Sequence, residues 1–108
     1  MDMTSLNFFE STINVNIMIH KGSHIIVSNN GKILFQGTRE YCMNRIRSIV
    51  NQMSSLGDKK IIFHIQNMTL GDSIYEYDKV YFKNHIALLN TSSKCNIEVK
   101  AGLYNVFA

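Results

Sequence analysis

Apolar and polar residues alternate strictly over residues 13–20. Ile13, Val15, Ile17 and Ile19 take one side; Asn14, Asn16, Met18 and His20 take the other. A period of two predicts a strand with one face buried. Lys21, Gly22 and Ser23 are turn chemistry, and extended structure resumes over 25–29. Asn30-Gly31 follows, the pair that best tolerates positive φ at both centres of a type I′ turn. It predicts a tight hairpin joining 25–29 to 32–36.

The period then changes. Cys42, Ile46, Ile49, Val50, Met53 and Leu56 follow a 4-3-1-3-3 spacing, one apolar stripe of a helix over residues 39–55. Gly37 breaks the preceding strand. Thr38 is suited to the N-cap, because its hydroxyl can accept from a free amide of the first turn. Glu40 complements the positive end of the helix dipole. Gly57 is suited to a left-handed C-cap.

Extended structure is predicted again over 60–66, with Ile61, Phe63 and Ile65 on one side, and a loop over 67–72. Residues 73–82 read as a long extended segment. Tyr75, Tyr77, Lys79 and Tyr81 share one parity there; Ile74, Glu76, Asp78, Val80 and Phe82 share the other. Residues 85–90 are short and apolar and fit a strand or a helical turn. After a turn-rich break at 90–94, residues 95–108 read as one or two strands, with Gly102 marking a bulge or bend. The sum is an α+β domain: an antiparallel β-sheet of about five to seven strands with one main α-helix packed on one face. Parallel α/β architecture is disfavoured, since only one segment reads as long enough for a crossover helix.

Length and composition fit this picture. A chain of 108 residues with 45% apolar content makes a single domain over 1–108, the first ten residues loosely tied. Its core needs neither disulfide nor metal. Two cysteines without close spacing, Cys42 and Cys95, suggest buried free thiols in a reducing compartment. The start of the chain is acidic and lacks a long apolar run, so no signal peptide is expected. No stretch reaches the roughly 18 apolar residues of a membrane span. The expectation is a cytoplasmic protein with no membrane contact.

Charge is uneven. Residues 21–60 carry seven Lys or Arg against Glu40 and Asp58, a balance of +5; residues 61–78 carry three acids and no base, a balance of −3. Such asymmetry can steer an acidic partner to one face.

Candidate chemistry is sparse. His20 and His24 flank a turn and can come close, but three or four converging zinc ligands are not visible. Cys42 lies near a helix N-terminus, where a thiol can become nucleophilic, yet it falls in the apolar stripe. Glu76 and Asp78 would share a strand face, as an acid/base pair or as ordinary solvent-facing carboxylates. Glycines occur singly, so no phosphate-binding loop is present. No catalytic residue, metal or cofactor is assigned. The aromatic run carries more. Tyr75, Tyr77 and Tyr81 with Lys79 between them can make a protein-binding hot spot, stack on bases, or pair across a sheet. Arg39, Arg45 and Arg47 on the helix form a second candidate surface. The apolar end, residues 103–108, either closes the domain's own sheet or pairs as an edge strand with a partner or a second copy.

In style this proline-free, Asn- and Ile-rich chain, with 12 and 14 of those residues, resembles small accessory proteins of bacteriophages. The hairpin-to-helix piece NNGKILFQGTREYCMNRIR carries the local likeness. The resemblance implies a host-takeover or anti-defence role performed by binding, in the host cytoplasm. The expectation is therefore a non-enzymatic inhibitor of a host or defence macromolecule, with a protein as the partner. The alternative is a module for nucleic acid or a nucleotide, including sequestration of a signalling nucleotide.

Overall fold

A computed structural model describes residues 11–20, 24–54, 59–67, 73–92 and 95–102. Side chains at 54, 67, 73–75 and 102 fall outside that description. The elements run β1 (Thr12–Ile19), β2 (Ile25–Asn29), β3 (Lys32–Gly37), α1 (Arg39–Ser54), β4 (Lys60–Asn67), α2 (Ser73–Ser92) and β5 (Asn96–Gly102).

The first half follows the pattern of the sequence. Asn30 and Gly31 have φ of 53° and 78°, both positive as a type I′ hairpin requires. The hairpin pairs β2 with β3, and a bulge between Val27 and Ser28 shifts the register. Thr38 caps α1: its Oγ1 accepts from the Tyr41 amide at 3.2 Å, and its carbonyl accepts from the Cys42 amide at 2.9 Å. Cys42, Ile46, Ile49, Val50 and Met53 are all buried.

Sheet topology departs from the antiparallel expectation. Five strands are ordered β3-β2-β1-β4-β5. β2 is antiparallel to β1 and β3, but β1 pairs with β4 in parallel, and β4 with β5 in parallel. The fold is α+β with a mixed sheet and two helices, rather than an antiparallel sheet with one.

The second helix is the cause. Residues 73–82, read as extended from the sequence, and the apolar segment after them form one 20-residue helix, α2. It supplies the crossover that β4 needs to reach a parallel β5. The β3–α1–β4 and β4–α2–β5 connections step across the sheet in the same direction. Right-handed crossovers therefore place both helices on one face.

One core lies between the sheet and this helical layer. Ile13, Val15, Ile17 and Ile19 meet Ile61, Phe63 and Ile65, with Val27, Phe35 and Ile97 on the flanking strands and Phe82 and Ile86 from α2. β1 is central, and its second half is buried on both sides, since Asn16 and Met18 are also below a tenth exposed, while Asn14 stays exposed. The half-buried strand of the sequence pattern is therefore buried on both sides only over Val15–Ile19. No helix among the described residues is long and apolar enough to cross a membrane. Gly57 and residues 103–108, expected as a cap and a sheet edge, lie outside the described residues.

Candidate functional site

The packing of α2 on α1 brings a polar and aromatic cluster together. Asp78 sits one helical turn before Phe82 and two before Ile86, on the buried stripe of α2. A carboxylate there must find a partner, because burying an unpaired charge is costly. Arg39, in the first turn of α1, provides it: Nη1 donates to Asp78 Oδ1 at 2.9 Å. The Asp78 side chain is wholly buried, whereas Arg39 keeps 27% of its side chain exposed.

Aromatic rings enclose the pair. The Arg39 guanidinium lies 5.2 Å from the Tyr77 ring centre and 4.9 Å from that of Tyr81. Both distances are within cation–π range. Tyr77 and Tyr81 are one turn apart with ring centres at 6.4 Å. His85, a turn further on, stacks on Tyr81 at 4.0 Å, and its Nδ1 donates to the Tyr81 carbonyl at 2.9 Å. Desolvation lowers the Arg39 pKa, but the hydrogen bond and charge of Asp78, with smaller contributions from Tyr77 and Glu40, more than offset it and raise the value. Arg39 is therefore a permanent cation.

The arginines of α1 do not form one surface. Arg45 points toward β3, 5.2 Å from the Phe35 ring centre and 5.9 Å from that of Tyr41. Phe35 and Tyr41 meet edge to face at 6.4 Å. Arg47 is exposed and donates to Asn44 Oδ1 at 3.1 Å. On α2, Tyr77 and Tyr81 share a face at the i, i+4 spacing, while Lys79 points elsewhere and pairs with Glu76 at 3.0 Å. Tyr75 lies in the first turn of α2, its side chain outside the described set. The single strand face expected for Tyr75, Tyr77, Lys79 and Tyr81 is thus replaced by a helical arrangement. It joins Tyr77 and Tyr81 to Arg39 and separates them from Lys79, Arg45 and Arg47.

Asp78, His85, Tyr41 and Phe35 were not singled out as contact residues from the sequence. The signal for the first two was present: Asp78, Phe82 and Ile86 repeat at i+4, as do Tyr77, Tyr81 and His85. The extended reading of this segment hid it.

The enzymatic groupings do not assemble among the described residues. Cys42 is buried with its Sγ 3.7 Å from the Ile25 carbonyl, and burial pushes its pKa up to about 11. Glu76 is exposed and Asp78 is buried, so they do not converge. His20 and His24 do approach, with ring centres at 6.3 Å, but no group of three metal-ligating side chains occurs among the described residues.

The second face of the sheet is polar. His64 Nε2 donates to Asn14 Oδ1 at 2.9 Å across the β1–β4 pair. Lys60 and Lys100 flank Glu98 at 3.0 and 3.9 Å. Comparison of the chain with protein-family models, with curated proteins and with solved structures finds no match.

Proposed function

We propose that this protein is a non-enzymatic interaction module that binds and inhibits another macromolecule, a protein of a host or of its defence, in the manner of phage accessory proteins. The observation that carries this reading is the presentation of Tyr77. The residue is 59% exposed, yet its ring lies against Arg39 and Tyr81. Tyrosine and arginine dominate binding hot spots, and a ring already fixed in the free protein loses little entropy on contact. Tyr41, 45% exposed against Arg45 and Phe35, offers a second anchor of the same construction on the other flank of α1.

Charge supports a protein partner over a polyanion. Arg39 is paired with Asp78, Lys79 with Glu76, and Lys60 and Lys100 with Glu98. Arg39, beside Tyr77, and Lys79 are already paired and so release few counterions on phosphate contact, and that release drives nucleic-acid binding.

The test is affinity capture from host lysate with the wild-type protein and with Tyr77→Ala and Tyr41→Ala. Both side chains are exposed, and each variant is first checked for unchanged far-ultraviolet dichroism. The expected result is one captured protein whose yield falls at least tenfold in a variant. Capture of nucleic acid or a nucleotide, or protein capture indifferent to both substitutions, would overturn the reading.

A further inference from the structure

α2 carries a second, uncharged stripe besides the one used by the core. Phe82 and Ile86 lie in the core, and Asp78 is buried against Arg39. At about 100° per residue, Tyr77, Val80, Asn84, Ala87, Leu88 and Thr91 form a second stripe on the opposite side. All six are exposed, with Tyr77, Val80 and Leu88 at 59, 50 and 65%. None carries a charge. Tyr77, Val80, Ala87 and Leu88 are the stripe's apolar members, and an amphipathic helix ordinarily covers such a stripe.

We propose that this stripe seats a second copy of the chain, the two α2 helices packing antiparallel about a twofold axis at Asn84. The stripe is self-complementary about that residue. Val80 lies four positions before it and Leu88 four after; Tyr77 lies seven before and Thr91 seven after. An antiparallel twofold therefore sets Val80 against Leu88 of the other copy, twice, as an isologous contact demands. The Asn84 amide offers both a donor and an acceptor, so two such amides satisfy each other on the axis. That contact fixes the register, as a single polar residue does in helical pairs.

The contact is small. Fifteen residues of helix span about 22 Å, which gives roughly 800–1,000 Å² of total buried surface, at the lower end for a specific interface. The dimer is accordingly weak and forms reversibly as concentration rises. Lys83, exposed on one flank of the stripe, approaches its counterpart across the axis. Added salt screens that repulsion and tightens the dimer, the reverse of its effect on nucleic-acid binding. The pairing shares Tyr77 with the Arg39–Tyr81 seam, so a second copy and the partner proposed above compete for that ring. Val80, Asn84 and Leu88 take no part in the seam, and substitutions there test the pairing alone.

Sedimentation velocity from about 5 µM to about 1 mM tests the pairing by mass action. The wild-type sedimentation coefficient is expected to rise with concentration, and more so at high salt. Val80→Lys and Leu88→Glu should each weaken the dimer at least tenfold while leaving the far-ultraviolet dichroism unchanged. The double variant should regain it, because the introduced amine and carboxylate then face each other across the axis. Asn84→Cys should form an intermolecular disulfide under mild oxidation; Cys42 and Cys95 are buried and do not compete. A wild-type chain that stays monomeric throughout overturns the proposal. So does a dimer that survives both single substitutions or fails to cross-link through position 84, for then another surface is in use.

Discussion

Replacing Arg39 by methionine removes the partner of a wholly buried carboxylate. The substitution keeps a flexible apolar stem between the Tyr77 and Tyr81 rings, so packing changes little. The electrostatic change is large. At a charge separation of roughly 4 Å and an effective permittivity of about 20, the lost attraction is about 4 kcal/mol. The Asp78 side chain has no access to water, so its desolvation remains uncompensated. Breaking buried pairs in this way costs about 3–5 kcal/mol. Asp78→Asn leaves Arg39 behind instead, and that side chain is 27% exposed and reaches solvent. Its cost should be smaller, about 1–2 kcal/mol. The double variant Arg39→Met with Asp78→Leu removes both charges and should return to within about 1 kcal/mol of wild type. Urea unfolding measures all four proteins. With a slope of about 1.3 kcal/mol/M, Arg39→Met shifts the midpoint down by roughly 3 M and the double variant by less than about 1 M. A shift below about 0.5 M for Arg39→Met, or a double variant as unstable as the sum of the two single ones, would refute the reasoning.

Three further outcomes follow from the same structure. Gly37 has φ 152° and a Cβ there would lie 3.1 Å from Tyr41 Cδ2, so Gly37→Ala should cost about 1–2 kcal/mol in urea unfolding; an unchanged midpoint would contradict the φ and the contact. Burial lowers the His64 and His20 pKa values below the ordinary 6.5, helped by Lys100 at His64, against a smaller raising effect of Glu98, and by His24 at His20. The folded state then binds fewer protons than the unfolded chain, so this stability is complete above 6.5 and is lost as pH falls through the lowered values. The urea midpoint should drop as pH falls below 6.5, and His64→Gln should flatten the drop; an identical slope in that variant would rule out His64 as a source. Cys42 and Cys95 are both buried, and Cys42 is held as a thiol by its raised pKa. Neither should react with a disulfide reagent at pH 7.5 until denaturant is added, and rapid native labelling of either would show the packing to be wrong.

Local chemistry made the hairpin and the first helix legible. Asn30-Gly31 tolerates positive φ, Thr38 supplies an acceptor to a free amide, and Cys42, Ile46, Ile49, Val50 and Met53 repeat at helical spacing. Each of these signals is complete within a few residues, so no distant part of the chain is needed to read it. The strand alternation of Ile13 to Ile19 and of Ile61 to Ile65 is local in the same sense.

The second helix was not legible in this way. Ile74, Tyr75, Tyr77, Val80, Tyr81 and Phe82 favour strands by propensity, and Asp78 interrupts the apolar stripe that would have announced a helix. The interruption is tolerated only because Arg39, 39 positions earlier, arrives at 2.9 Å to neutralise it. That partnership exists once both helices lie on one face of the sheet and nowhere before. The parallel pairing of β1 with β4 and of β4 with β5 depends on the same helix, since it provides the crossover. The candidate site follows the same division. Sequence composition picked out Tyr77, Tyr81 and Arg39, but as a strand face and a separate helix face. Only the docking of α2 on α1 made them one cluster, turned Lys79, Arg45 and Arg47 away from it, and left Tyr77, Val80 and Leu88 facing outward. Propensity and periodicity are summed over neighbours in the chain. The energy of a buried ion pair is decided by neighbours in space.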